Sequence, residues 1–86
     1  MRVRIPTPLR SYTNQRAEVT AEGSTLDELF TDLDRRFPGL RFRVIDEQGQ
    51  LRPHMSVFLG DERCRDLATS LEEFDEVVIM QALSGG

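Results

Sequence analysis

Thr25-Leu26-Asp27-Glu28-Leu29-Phe30-Thr31-Asp32-Leu33-Asp34-Arg35-Arg36-Phe37 carries the helical signal of this chain. Leu26, Leu29, Phe30, Leu33 and Phe37 recur three and four residues apart, which puts them on one apolar stripe of an α-helix. Asp27, Glu28, Asp32, Asp34 and Arg35 fall on the side expected to face water. Thr25 and Glu28 have the spacing of a capping box, which satisfies amide groups that the first helical turn leaves unpaired. Pro38-Gly39 ends the helix. One amphipathic helix cannot bury its stripe alone, so the rest of the chain must supply a surface for it.

The flanking sequence supplies strands. Residues 2–5 alternate, with Val3 and Ile5 on one face, and Pro6 and Pro8, which lack ladder donors, end that strand and leave 7–12 irregular. Thr13-Asn14-Gln15 reads as a turn, and residues 16–21 alternate again, with Ala17, Val19 and Ala21 on one face, as the antiparallel partner. Residues 40–45 fit a short strand, an extended segment or a helical turn. Glu47-Gln48-Gly49-Gln50 is a turn, 55–59 a third strand, and Gly60-Asp61-Glu62 a tight turn into a short edge segment around Arg63-Cys64-Arg65. Leu67 and Leu71 read as isolated core contacts, and residues 77–83 as the last strand. The expected fold is an α+β roll: a sheet of four or five strands with one main helix packed on one face, the first and last strands central.

Alternation has a further consequence. If Val57, Leu59, Val77 and Ile79 face the helix, then Phe58, Val78 and Met80 share the opposite face. A sheet covered on one side normally carries polar residues outward, so three apolar residues there mark a candidate protein interface.

Eighty-six residues make one domain with a modest core and little room for an enclosed active site. A single cysteine excludes an internal disulfide and fits a reducing compartment. No apolar run is long enough to span a membrane, and the N-terminal residues lead into a strand rather than a signal peptide, so a cytoplasmic location is expected. A net charge of −4 argues against nucleic-acid binding and points to basic protein surfaces as partners. All eleven basic residues are arginine, so the chain cannot form lysine-linked polymers of itself.

The sequence ends Leu83-Ser84-Gly85-Gly86. Without side chains, two glycines can thread a narrow channel and present a carboxylate to a reagent without steric hindrance. That ending, with Ile5-Pro6-Thr7, Leu9-Arg10, Ser24-Thr25-Leu26, Val57-Phe58-Leu59, Gly60-Asp61-Glu62 and Asp75-Glu76-Val77, resembles the ubiquitin-like β-grasp sulfur carriers of the MoaD, ThiS and CysO group. The Ile-Pro-Thr opening and the longer segment 50–62 look most similar to the CysO type. Two positions depart from the family pattern: Phe74-Asp75 where Gly-Asp is common, and Gln81 where proline is frequent.

The resemblance implies a single β-grasp domain over 1–86 with a flexible tail at 83–86. It implies that Gly86 is the acyl site, adenylated by a ubiquitin-activating-type enzyme that uses ATP and magnesium. A sulfur donor, either a sulfurtransferase or sulfide, then makes a thiocarboxylate, and the chain itself binds no cofactor and is a co-substrate rather than an enzyme. The sulfur acceptor implied first is a cysteine synthase-like enzyme. Molybdopterin synthase large subunit, thiamine synthesis and tRNA thiolation follow, and conjugation to lysines as a modifier is a separate class. Gly85, Ser84 and Leu83 would contact the partner's channel, and Phe58, Val78 and Met80 its surface.

Other residues carry weaker signals. Cys64, between two arginines, reads as structural before it reads as a persulfide acceptor. His54 has no metal-ligand spacing, and Glu72, Glu73, Asp75 and Glu76 read as a solvated turn before a docking site. No nucleophile elbow, P-loop or dinucleotide fingerprint is present.

Overall fold

Val19, Val3, Val77 and Leu59 form one row across four strands, all buried. In the computed structural model, which describes residues 1–82, the strands are β1 (Arg2–Arg4), β2 (Glu18–Thr20), β3 (Met55–Leu59), β4 (Glu62–Cys64) and β5 (Glu76–Gln81). They build one mixed sheet in the order β2-β1-β5-β3-β4, with β1 and β5 parallel and the other neighbours antiparallel. The last strand is therefore the middle one, with the first beside it, as the sequence predicts.

Helix α1 (Leu26–Arg36) buries Leu26, Leu29, Phe30 and Leu33 in the same core as the inward-facing strand residues. Thr25 caps it, its side chain accepting from the Glu28 amide at 3.2 Å, while the Glu28 carboxylate accepts from the Ser24 amide at 2.9 Å. The return bond of the capping box thus reaches one residue further out than the spacing alone implies. The β3–β4 hairpin closes over Gly60-Asp61, with φ of +60° at Gly60, a conformation that glycine adopts without steric penalty.

Four expectations are refined. Residues Thr7–Thr13 form a 3-10 helix rather than an irregular segment: proline is tolerated in a first helical turn, and the buried Thr13 hydroxyl bonds the Arg10 and Arg16 carbonyls. Leu40–Val44 is a second helix, α2, because Leu40 and Val44 face the core and the Asp34 carboxylate accepts from the Gly39 and Arg41 amides. Strand β2 is shorter than expected, and Ala17 is exposed; only its carbonyl joins the pairing, accepting from the Ile5 amide at 2.8 Å. The acidic side of α1 is engaged rather than simply solvated, since Asp27 pairs with Arg41 at 2.7 Å. Asp32 accepts from the Glu22 amide, Arg35 and Arg36, and these bonds, the backbone one first, push its carboxyl down to about 2.

Candidate docking site at the end of the central strand

Hydrogen bonds along β5 run from its acidic start to the amide of Ala82, which donates to the His54 carbonyl at 2.8 Å. This bond carries the β3–β5 ladder one residue past the end of the central strand. Leu83, Ser84, Gly85 and Gly86, the predicted acyl site and channel contacts, lie outside the described residues.

On the face turned away from α1, register puts Glu18, Arg4, Val78, Phe58 and Arg63 in a single row across all five strands. Phe58 and Val78 are half-buried neighbours at its centre, and Met80, 52% exposed, stands two residues along β5 opposite Ser56. The three apolar residues predicted to share the open face do share it. Arg4, at the border of this patch, is held by Glu76 at 3.2 Å.

Beside the patch, β1 gives way to the 3-10 helix while β5 continues, opening a shallow groove of about 350 Å³. Pro6, Pro8 and Arg10 form one wall and Val78, Met80 and Gln81 the other. Sequence reasoning missed this groove, although Pro6 and Pro8 were its signal: a segment that cannot extend the ladder leaves the adjoining edge of β5 uncovered. Arg10 is anchored there, its Nε donating to the Ile5 carbonyl at 3.0 Å.

The remaining candidates stay apart from this site. Cys64 is half-buried against the core, with its thiol 3.2 Å from the Thr69 hydroxyl and 3.4 Å from the Asp66 carbonyl, a structural placement. The His54 side chain is exposed, and it is the backbone carbonyl that acts, by fixing Ala82. In the acidic turn, Asp75 lies 3.8 Å from Arg2, and Glu76 is bound to Arg4. A larger cleft of about 520 Å³ between α1, α2 and the 67–68 turn holds Asp27 and Arg41, which neutralise each other, although Arg41 Nε is buried there without a partner. Among the described residues no three His, Cys, Asp or Glu side chains group to hold a metal ion, and no helix is long and apolar enough to cross a membrane.

The sheet order, the single long helix across one face and the central final strand define a ubiquitin-like β-grasp protein. The chain belongs to the ThiS family, whose model it matches over residues 3–86. It is 35% identical to the sulfur carrier protein CysO of Mycobacterium tuberculosis, over 98% of this chain and 96% of that one. The crystal structure of M. tuberculosis CysO superposes with a TM-score of 0.87 at 33% identity, covering 95% of this chain and 98% of the other. CysO in the BexX/CysO complex of Amycolatopsis orientalis does so with a TM-score of 0.88 at 31% identity, covering 99% and 98%. SAMP1 from Haloferax volcanii has the same fold, with a TM-score of 0.78 at 25% identity and coverage of 100% and 98%.

Proposed function

We propose that this chain is a sulfur carrier whose cargo is held at Gly86 and delivered for cysteine synthesis. The observation that carries the reading is the family match: it runs through Gly86, and the relatives at 35% identity are named sulfur carriers. The central position of β5 supports it, because a tail anchored to the middle of a sheet can enter a partner's channel while the domain stays folded.

A carboxylate is a poor electrophile, so the chemistry begins with activation. A Gly86 carboxylate oxygen attacks the α-phosphorus of ATP on the activating enzyme, and pyrophosphate leaves. Hydrosulfide adds to the acyl carbon; AMP departs and a proton is lost to water, leaving a thiocarboxylate. ATP and magnesium belong to the partner, and this chain contributes the acyl group, an unhindered Gly85 and the docking face around Phe58, Val78 and Met80. Leu83 and Ser84 complete the segment that enters the channel.

The test is the intact mass of the chain isolated from its native host, with and without a thiol-alkylating reagent. Exchange of one oxygen for sulfur, located in the C-terminal peptide and alkylatable, is the expected result. The likeness to SAMP1, named a small archaeal modifier protein, favours a second reading, conjugation to lysines of other proteins. Recovery of Gly86 in isopeptide cross-links, with no thiocarboxylate in sulfur-replete cells, would replace the carrier reading with that one.

A further inference from the structure

Charge is distributed unevenly along β5. Around its start lie Glu72, Glu73 and Asp75, with Glu22 and Asp75 outnumbering Arg2 in one groove and the turn at Gly60-Asp61 set against the Phe74 ring. Around its end the residues are of the opposite kind. None of the side chains lining the groove next to Met80 and Gln81 is acidic, and Arg10 is among them. Arg16 adjoins Ala17 on the same rim and is exposed. On the other side of Ala82, residues 52–54 bring in Arg52, which stacks 4.5 Å over the Phe42 ring and whose amide donates to the carbonyl of Val44 at 3.0 Å, the residue next to the exposed Arg43 of α2.

These four arginines differ from those elsewhere in α1, α2 and β1. Arg2, Arg4, Arg35, Arg36 and Arg41 are in ion pairs, whereas Arg10, Arg16, Arg43 and Arg52, like Arg63 and Arg65 on and just after β4, have no carboxylate partner among the described residues. Two of the four are also held in place. Arg10 Nε is bound to the Ile5 carbonyl at 3.0 Å and Arg52 Nε to the Phe42 carbonyl at 2.7 Å, which leaves their Nη groups for another acceptor.

Distance decides whether the net charge of −4 cancels this basic end. Strand β5 has six residues, so its two ends are roughly 17 Å apart at about 3.3 Å per residue. The Debye length is about 8 Å at physiological ionic strength. A surface approaching the tail end is therefore governed by the local arginines and not by the acidic end.

We propose that the end of the molecule around Ala82 docks against a carboxylate-lined rim on the enzyme that receives the tail, so that an acidic chain binds that partner through a basic collar. This reverses the expectation of a basic partner surface drawn from net charge, and it rests on the carrier reading. Arg16 and Arg43 act by steering, whereas Arg10 and Arg52 provide fixed forks for carboxylates.

The experiment is stopped-flow association of the full-length chain with its purified adenylating enzyme at about 50 mM and about 500 mM salt, where screening differs most. For the natural chain the association rate constant should fall about tenfold over that range. The double variant Arg16→Glu/Arg43→Glu should lose about tenfold at low salt and most of the salt dependence, with an unchanged thermal midpoint. Glu72→Gln/Glu73→Gln, at the other end, should associate as the natural chain does. An unchanged or faster rate for the arginine variant, with normal association of the natural chain, overturns the collar and leaves the carrier reading standing. No association of the natural chain at any salt overturns both.

Discussion

Phe58 and Val78 stand directly opposite each other across β3 and β5, on the sheet face that α1 does not cover. Their contact makes an apolar centre in a row whose other members are charged, and Phe58 has Arg63 as its neighbour on β4. Phe58→Glu should weaken binding to the activating enzyme by about tenfold or more, the loss typical of a central apolar anchor. The fold should survive, because the new carboxylate lies opposite Arg63 in reach of a cross-strand pair. Titration calorimetry with circular dichroism checks both parts, and unchanged affinity removes the patch from the interface.

Gly23 meets the first turn of α1 backbone to side. A Cβ at this position would lie 2.5 Å from the Leu29 amide nitrogen and 2.8 Å from the Glu28 carbonyl carbon, and neither atom can rotate away. Gly23→Ala should cost about 1–3 kcal/mol, the usual range for an overpacked site. Urea denaturation measures it; a change within error would mean that the β2–α1 connection shifts freely.

Thr25 holds the start of the same helix through a 3.2 Å bond from the Glu28 amide. Thr25→Ala should destabilise the domain by about 1 kcal/mol. Thr25→Ser, which keeps the hydroxyl, should recover most of that loss in the same denaturation series.

Asp32 ties the 21–23 segment to α1 and titrates near 2, below its ordinary 3.8, because the Glu22 amide and then Arg35 and Arg36 bond the ionised carboxylate. A folded value below the unfolded one means that this group stabilises the fold above about pH 4 and loses its contribution as pH falls through about 2. The stability difference between the natural chain and Asp32→Asn should be constant from about pH 6 to about pH 5 and shrink toward pH 2. Urea midpoints across that range supply the check, and a difference independent of pH would contradict the assignment.

Much of the fold was legible because burial follows local periodicity. Val57, Leu59, Val77 and Ile79 alternate with Phe58, Val78 and Met80, and that alternation alone separates the core face from the open one. What escaped depends on contacts distant in sequence. Leu40-Arg41-Phe42-Arg43-Val44 alternates like a strand but folds as a helix, since Asp34 supplies acceptors for its first amides. The basic collar was hidden for a similar reason. Arg10, Arg16, Arg43 and Arg52 are scattered through an acidic sequence, and only the crossing of β1 beside β5 and the return of residues 52–54 to Ala82 gather them.

The central, doubly bonded position of β5 also has a mechanical side. Tension applied beyond Ala82 runs along a strand gripped by β1 on one flank and β3 on the other, so it loads two ladders in shear, many bonds at once. Tension applied at β4, which has a neighbour on one side only, peels bonds singly. Optical-tweezers rupture forces should accordingly be higher for a pull from the C-terminal end than for one from residue 63. A load applied at that end is therefore shared across the middle of the sheet.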